Sequence, residues 1–195
     1  QILVKMERKG ADIHPFQKAG QATEAEIVNK ENALGMTIPS SYRQTLLHFS
    51  KALSWRASFP ERTVLPEAFN EIFACEINWD IDELEDLTQM ADEDYGEELR
   101  NKLAFTHAGN GDLYAFDMSV RGDEKPVVYW DHETGEITRL ADNFIVFLEK
   151  ITALGAPGNE LWQFDYFVEF NGLNVDLEIS KVWMKWFNEY LNLTK

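Results

Sequence analysis

Carboxylates dominate the chemistry open to this chain. Its 195 residues carry 34 Asp and Glu against 18 Lys and Arg, a formal net charge of −16. Asp112 and Asp117 lie near an Asn110-Gly111 turn. Two carboxylates can divide general-acid and general-base work, as in glycoside hydrolysis, but only where a cleft separates their pKa values. Aspartates at turns more often cap backbone N–H groups, and that role is expected for both. His107 reads in the same way, as a hydrogen-bonded edge residue. Asp131-His132-Glu133 is a turn peptide, and three adjacent residues do not converge on one metal without distortion. Asp92-Glu93-Asp94-Tyr95-Gly96 lacks the alternating ligands, the sixth-position Gly and the twelfth-position Glu of a calcium loop. Cys75, alone and inside the apolar run Ile72-Phe73-Ala74-Cys75, is expected to be a buried, inert thiol. One cysteine allows no internal disulfide and no thiolate metal cluster, which fits a reducing, cytoplasmic compartment. Gly-x-Ser-x-Gly, a Walker loop and His-Glu-x-x-His are all missing. The expectation is therefore a protein that is not an enzyme and needs no cofactor or metal.

The strongest local signal is a run of acids: Asp80, Asp82, Glu83, Glu85, Asp86, Asp92, Glu93, Asp94, Glu97 and Glu98, with no Lys or Arg between them. Ile81, Leu84, Leu87 and Met90 recur three or four residues apart, so one side of a helix can face a core while the acids face water. Acids near a helix start suit its dipole, but the rest repel one another. A surface this acidic repels nucleic-acid phosphates and anionic lipid and attracts a basic partner. Solubility alone is the competing explanation. No apolar run approaches membrane-spanning length. The sequence opens on Gln1 rather than Met, compatible with a trimmed or processed start.

Other elements must position these residues. Residues 1–13 read as an extended arm or short strand. Thr23 with Glu26 three residues on is a capping box, predicting a helix over Glu24–Leu34 that Gly35 stops. Ile38-Pro39 opens a second helix, with proline at its first position and Tyr42, Leu46 and Phe49 on one face. A loop carrying Trp55 and Phe59 follows, bracketed by Pro60 and Pro66, and Phe69–Trp79 could be strand or helix. From Leu103 to Leu140, two turn signals predict four consecutive antiparallel strands: Asn110-Gly111, suited to a type I′ turn, and Asp131–Glu136. Asp142 opens a helix with Phe144, Phe147, Leu148 and Ile151 on its buried stripe. Ala156-Pro157-Gly158 reads as a domain edge. That places a domain over residues 1–158 and an aromatic-rich extension over 159–195, packed on the same domain.

Three stretches carry a family resemblance. They are Glu26-Ile27-Val28 through Pro39-Ser40-Ser41-Tyr42 to Phe49, Leu103-Ala104-Phe105 through Gly109-Asn110-Gly111-Asp112 to Phe116-Asp117, and Val127-Val128-Tyr129-Trp130-Asp131-His132-Glu133 into Asn143-Phe144 and Phe147-Leu148. In order and spacing the chain resembles the SUKH superfamily, which holds the fungal Smi/Knr-type cell-wall regulators and many bacterial immunity proteins. Ser50-Lys51-Ala52 departs from the glycine-rich turn common after the second helix, and the tail lies outside the pattern. The resemblance implies an α+β fold, a twisted antiparallel sheet with N-terminal and C-terminal helices packed on it. It also implies a binding role. The first expectation is a bacterial immunity protein that neutralises a basic protein toxin, such as a nuclease. The acids from Asp80 to Glu98 would form the contact surface and Trp79 or Trp55 its anchor, with no nucleic-acid or membrane partner. The alternative is a regulatory scaffold of the fungal type.

Overall fold

The computed structural model describes residues 2–95 and 99–192, with the backbone alone over 91–95. It opens with a helix, α1 (Ile2–Arg8), where an extended arm or a short strand was expected. Met6 is fully buried and Ile2 and Leu3 pack on the core, so tertiary contact rewards a stripe too short to read locally. Two short strands follow, β1 (Asp12–Ile13) and β2 (Gln17–Lys18).

Helix α2 (Glu24–Leu34) starts and stops at its predicted signals. The Thr23 hydroxyl accepts from the Glu26 N–H at 3.2 Å, the Glu26 carboxylate accepts from the Thr23 N–H at 2.7 Å, and Gly35 turns left-handed at φ 63°. The Thr23 N–H, then Lys51, then the Thr23 hydroxyl pull the Glu26 carboxyl down to about 2. In α3 (Ser40–His48) Pro39 stands at the cap, one place earlier than expected. Tyr42 and Leu46 are buried, but the helix ends at His48, which leaves Phe49 half in solvent.

The expected loop around Trp55 is a strand, β3 (Ala52–Ser58), paired antiparallel over its whole length with β4 (Ala74–Asp80). β1 and β2 pair with the two ends of β3. The row Leu53, Trp55, Ala57 faces inward, but its alternation with Ser54, Arg56 and Ser58 has little contrast, so pairing with β4 decides the strand.

A 3-10 turn (Ile81–Glu83) leads into α4 (Leu84–Tyr95). The second sheet is the predicted meander: β5 (Lys102–His107), β6 (Leu113–Asp117), β7 (Val127–Trp130) and β8 (Ile137–Ala141), adjacent in that order. Its first turn differs from expectation. The Ala108 N–H donates to the Asp112 carbonyl at 2.8 Å and the Gly111 N–H to that of Ala108 at 3.1 Å, closing a three-residue loop. Within it only Gly111 has positive φ, 99°, so a type I′ pair is replaced by a single left-handed glycine.

The meander is apolar on both faces. Phe105, Tyr114, Phe116 and Tyr129 enter the main core, while Ala104, Leu113, Ala115, Val128 and Trp130 form a second layer with Leu87 of α4 and Leu99. Strands covered on both sides read as unbroken apolar runs. Helix α5 (Phe144–Ala153) is capped by Asn143, one residue past Asp142, whose Oδ1 accepts from the Val146 N–H at 2.9 Å. Its Phe144 ring lies 4.7 Å from Tyr42 and 5.4 Å from Phe105.

The expected domain edge is buried. The Gly158 N–H donates to the Ala74 carbonyl and the Glu76 N–H to that of Ala156, each at 2.8 Å, so this turn is sewn to β4. The one-turn helix α6 (Leu161–Phe164), the hairpin β9 (Val168–Glu169) and β10 (Gly172–Leu173), and α7 (Glu178–Asn192) follow. Phe164, Phe167, Leu173, Trp183 and Phe187 join the same core. The fold is α+β, with helices on two four-stranded antiparallel sheets and the small β9–β10 hairpin beside them among the described residues. Among the described residues no helix is long and apolar enough to cross a membrane.

Candidate protein-interaction surface

The outer face of β3 and β4 organises the exposed chemistry. In β4 the odd residues Cys75, Ile77 and Trp79 point inward and the even residues Glu76, Asn78 and Asp80 outward. Register places Asp80 beside Ala52, Asn78 beside Ser54 and Glu76 beside Arg56. A groove of about 700 Å³ crosses this face from Phe16 and the adjoining Lys18 of β2, over Ser54 and Asn78, to Asp80, Glu83 and His107. On the same face, two residues further along the strands from Ser54 and Asn78, the Arg56 guanidinium is 3.6 Å from Glu76. Burial holds the Glu76 carboxyl above its ordinary value, against the pull of Arg56, His14 and His107, and Glu160 adds to the rise. His107 lines this groove, and Glu160 lines a second recess of about 470 Å³ beside Trp162.

The acidic run divides along its length. The Asp80 carboxylate accepts from the Asp82 N–H at 2.8 Å and caps the 3-10 turn. Glu85 pairs with Lys30 at 2.8 Å, and Lys30 also donates to the Asp82 carbonyl at 3.3 Å, strapping α2 to this turn. Asp82, Glu83 and Asp86 are exposed and make no ion pair among the described residues. Ile81, Leu84 and Leu87 are buried beneath them, whereas Met90 is half-exposed. Asp92, Glu93 and Asp94 lie on the α4 backbone with side chains outside the description, and Glu97 and Glu98 fall outside the described residues.

Trp79 cannot be a surface anchor. It is 4% exposed, its indole N–H donates to the Ser50 carbonyl at 3.2 Å, and its ring stands edge-on to Phe144 at 5.7 Å. Strand alternation turns it inward between Asn78 and Asp80, which face out. Trp55, on the same inward row, is half-buried against the core.

The carboxylates near the hairpin turns are occupied. Asp112 is 3% exposed and accepts from the Tyr129 hydroxyl at 2.5 Å, the His132 N–H at 3.0 Å and the Asn110 amide at 2.7 Å, with the His132 ring Nδ1 at 2.6 Å. Burial alone would raise its pKa, but these hydrogen bonds outweigh it and hold the carboxyl below the usual range. The same contact raises His132 above its ordinary value. Among the described residues no hydroxyl or thiol hydrogen-bonds His132. Asp117 is bound by Ser119 and Lys102. Cys75 is fully buried, and burial pushes its thiol far up. Among the described residues no three His, Cys, Asp or Glu side chains gather to hold a metal ion.

The fold and this polar face sit on a segment that matches a known family: residues 21–150 fit the SMI1/KNR4 family model (SUKH-1). The chain belongs to the SMI1/KNR4 (SUKH-1) family. A search of curated proteins finds no match. In this SUKH-1 protein the matched segment runs from the approach to α2 into α5, and so contains β3, β4, the acidic turn and the whole meander. Both ends of the groove system lie outside it. Phe16 and Lys18 precede the segment, while Glu160, Trp162 and Asp165 follow it. Glu76, Glu160 and Trp162 were missed from sequence, and His107 was read only as an edge residue. The strict alternation of Ala74-Cys75-Glu76-Ile77-Asn78-Trp79-Asp80 could have revealed the outer row. Nothing local could have joined it to Glu160.

Proposed function

We propose that this SUKH-1 protein is a non-enzymatic binding protein of the bacterial immunity type, which occupies and neutralises a basic protein toxin. The supporting observation is the row Asp82, Glu83 and Asp86, exposed, in no ion pair among the described residues and set beside an open polar sheet face. A nuclease must hold phosphates, so its active site is cationic, and an acidic surface can compete for it with electrostatics raising the association rate. The catalytic reading has less support, since Asp112 and Asp117 are enclosed by donors and Cys75 is buried.

Changing Asp82, Glu83 and Asp86 together to the corresponding amides tests this. Against the cognate basic protein, captured in a one-to-one complex, association should slow about tenfold at low salt and lose much of its salt dependence. Unchanged association rates would refute the electrostatic mechanism. Capture of many weak partners in place of one stoichiometric basic protein would favour the regulatory-scaffold reading.

A further inference from the structure

Two large aromatic rings stand half in water at the far end of the polar face, although most of the chain's aromatics are buried. Phe73 is 44% exposed and Trp162 41%, with ring centroids 5.9 Å apart and planes inclined at 37°. They come from distant parts of the chain, the lead into β4 and helix α6. The Trp162 indole N–H donates to Glu160 at 2.5 Å, which fixes the ring. The chain's own Arg56 already lies 6.0 Å from the Phe73 ring, so this aromatic surface accommodates a guanidinium. Beside Trp162 opens the 470 Å³ recess, lined further by Asp131, Glu133, Glu160 and Asp165 and by no Lys or Arg. Burial and then the charge of Glu71 raise the Asp165 carboxyl, as expected for an acid whose neighbours supply no cation.

An apolar ligand would leave those carboxylates desolvated and unmatched, and an anion would be repelled. A flexible cationic side chain with a planar head meets both demands: its face lies on the indole and its N–H groups reach the carboxylates. We propose that the recess beside Trp162 and Phe73 is an anchor pocket for an arginine side chain of a basic protein partner. The proposal rests on the binding role given above but places the anchor at the opposite end of the face from Asp82, Glu83 and Asp86. Trp162, Glu160 and Asp165 lie beyond the family-matched segment, whereas Phe73, Asp131 and Glu133 lie within it, so this chain's C-terminal extension completes the pocket.

The test is a titration of the ¹⁵N-labelled full chain with a short oligo-arginine peptide, following the indole N–H resonance of Trp162, assigned by its loss in Trp162→Phe. The resonance should shift saturably, oligo-lysine should bind more weakly, and Trp162→Ala, whose affinity is read by calorimetry, should weaken oligo-arginine binding about threefold or more. Phe73→Leu, which keeps an apolar side chain, provides a second variant and should also weaken it. Amides at positions 82, 83 and 86 should leave the Trp162 shift in place, which separates failure of the acidic-helix mechanism from failure of this pocket. A Trp162 resonance that stays fixed while the peptide binds elsewhere would overturn the proposal, as would unchanged affinity in Trp162→Ala. Spermine moving the resonance at lower concentration than the peptide would overturn the assignment to a protein side chain.

Discussion

Replacing Asp112 by alanine should reveal how the meander is held together. Its carboxylate joins three segments: the β5–β6 turn through Asn110, β7 through Tyr129, and the β7–β8 turn through His132. Tyr129 extends the junction to α6, because its hydroxyl oxygen accepts from the Leu161 N–H at 3.1 Å. Alanine leaves the Tyr129 hydroxyl and the His132 N–H without a charged acceptor. Hydrogen bonds to charged groups are worth about 1.5–3 kcal/mol each. His132 is partly exposed and regains some of its share from water, so the expected loss is about 4 kcal/mol. For a chain of this length that lowers Tm by roughly 8–16 °C. Urea unfolding followed by circular dichroism, with calorimetry, measures it. The pH dependence adds a second check. His132 is raised above its ordinary 6.5, so its contribution is complete below that pH and lost as pH climbs through the folded value. Asp112 is lowered below its ordinary 3.8, so its contribution is present above that pH and lost as pH falls through the folded value. The gap between native protein and variant should therefore be widest from 3.8 to 6.5 and narrow on either side. A loss under about 1 kcal/mol, or a gap that does not vary with pH, would refute the junction.

Gly172→Ala should cost about 3 kcal/mol, because a Cβ there would sit 2.3 Å from the Leu140 carbonyl oxygen on a backbone with φ 97°, and urea unfolding will show it. Thr23→Ala should cost about 1 kcal/mol through loss of the α2 cap. The Glu26 part of that cap is present above pH 4.5 and disappears as pH falls toward about 2, so acid titration of both proteins should bring their stabilities together. Cys75 should resist iodoacetamide in the native protein and react only at the rate of unfolding, and fast native labelling would contradict its burial.

Much of the fold was legible where the governing physics is local. The Thr23–Glu26 box and Gly35 bound α2 because caps are hydrogen bonds and backbone angles within a few residues. The meander was legible through its turns, although Gly111 alone supplies the left-handed residue. Helix α1 and strand β3 were not, since each depends on distant partners: Met6 on the core, and β3 on a β4 strand whose Asp80 pairs with Ala52. The candidate surface was half legible. The acids could be counted, but which of them stay free depended on Lys30 reaching Glu85 and on Asp80 turning back to cap Asp82.

By itself the sequence determined the net charge of −16, the α2 cap and the succession of meander strands, because composition, capping and periodicity act over one or two turns of chain. Tertiary structure decided the rest. It buried Trp79 between outward-facing Asn78 and Asp80, covered the meander on both faces, and brought Phe73 and Trp162 within 5.9 Å from positions 89 residues apart. The physical reason is that inward or outward direction and long-range proximity are set by strand pairing and packing, which no local window contains.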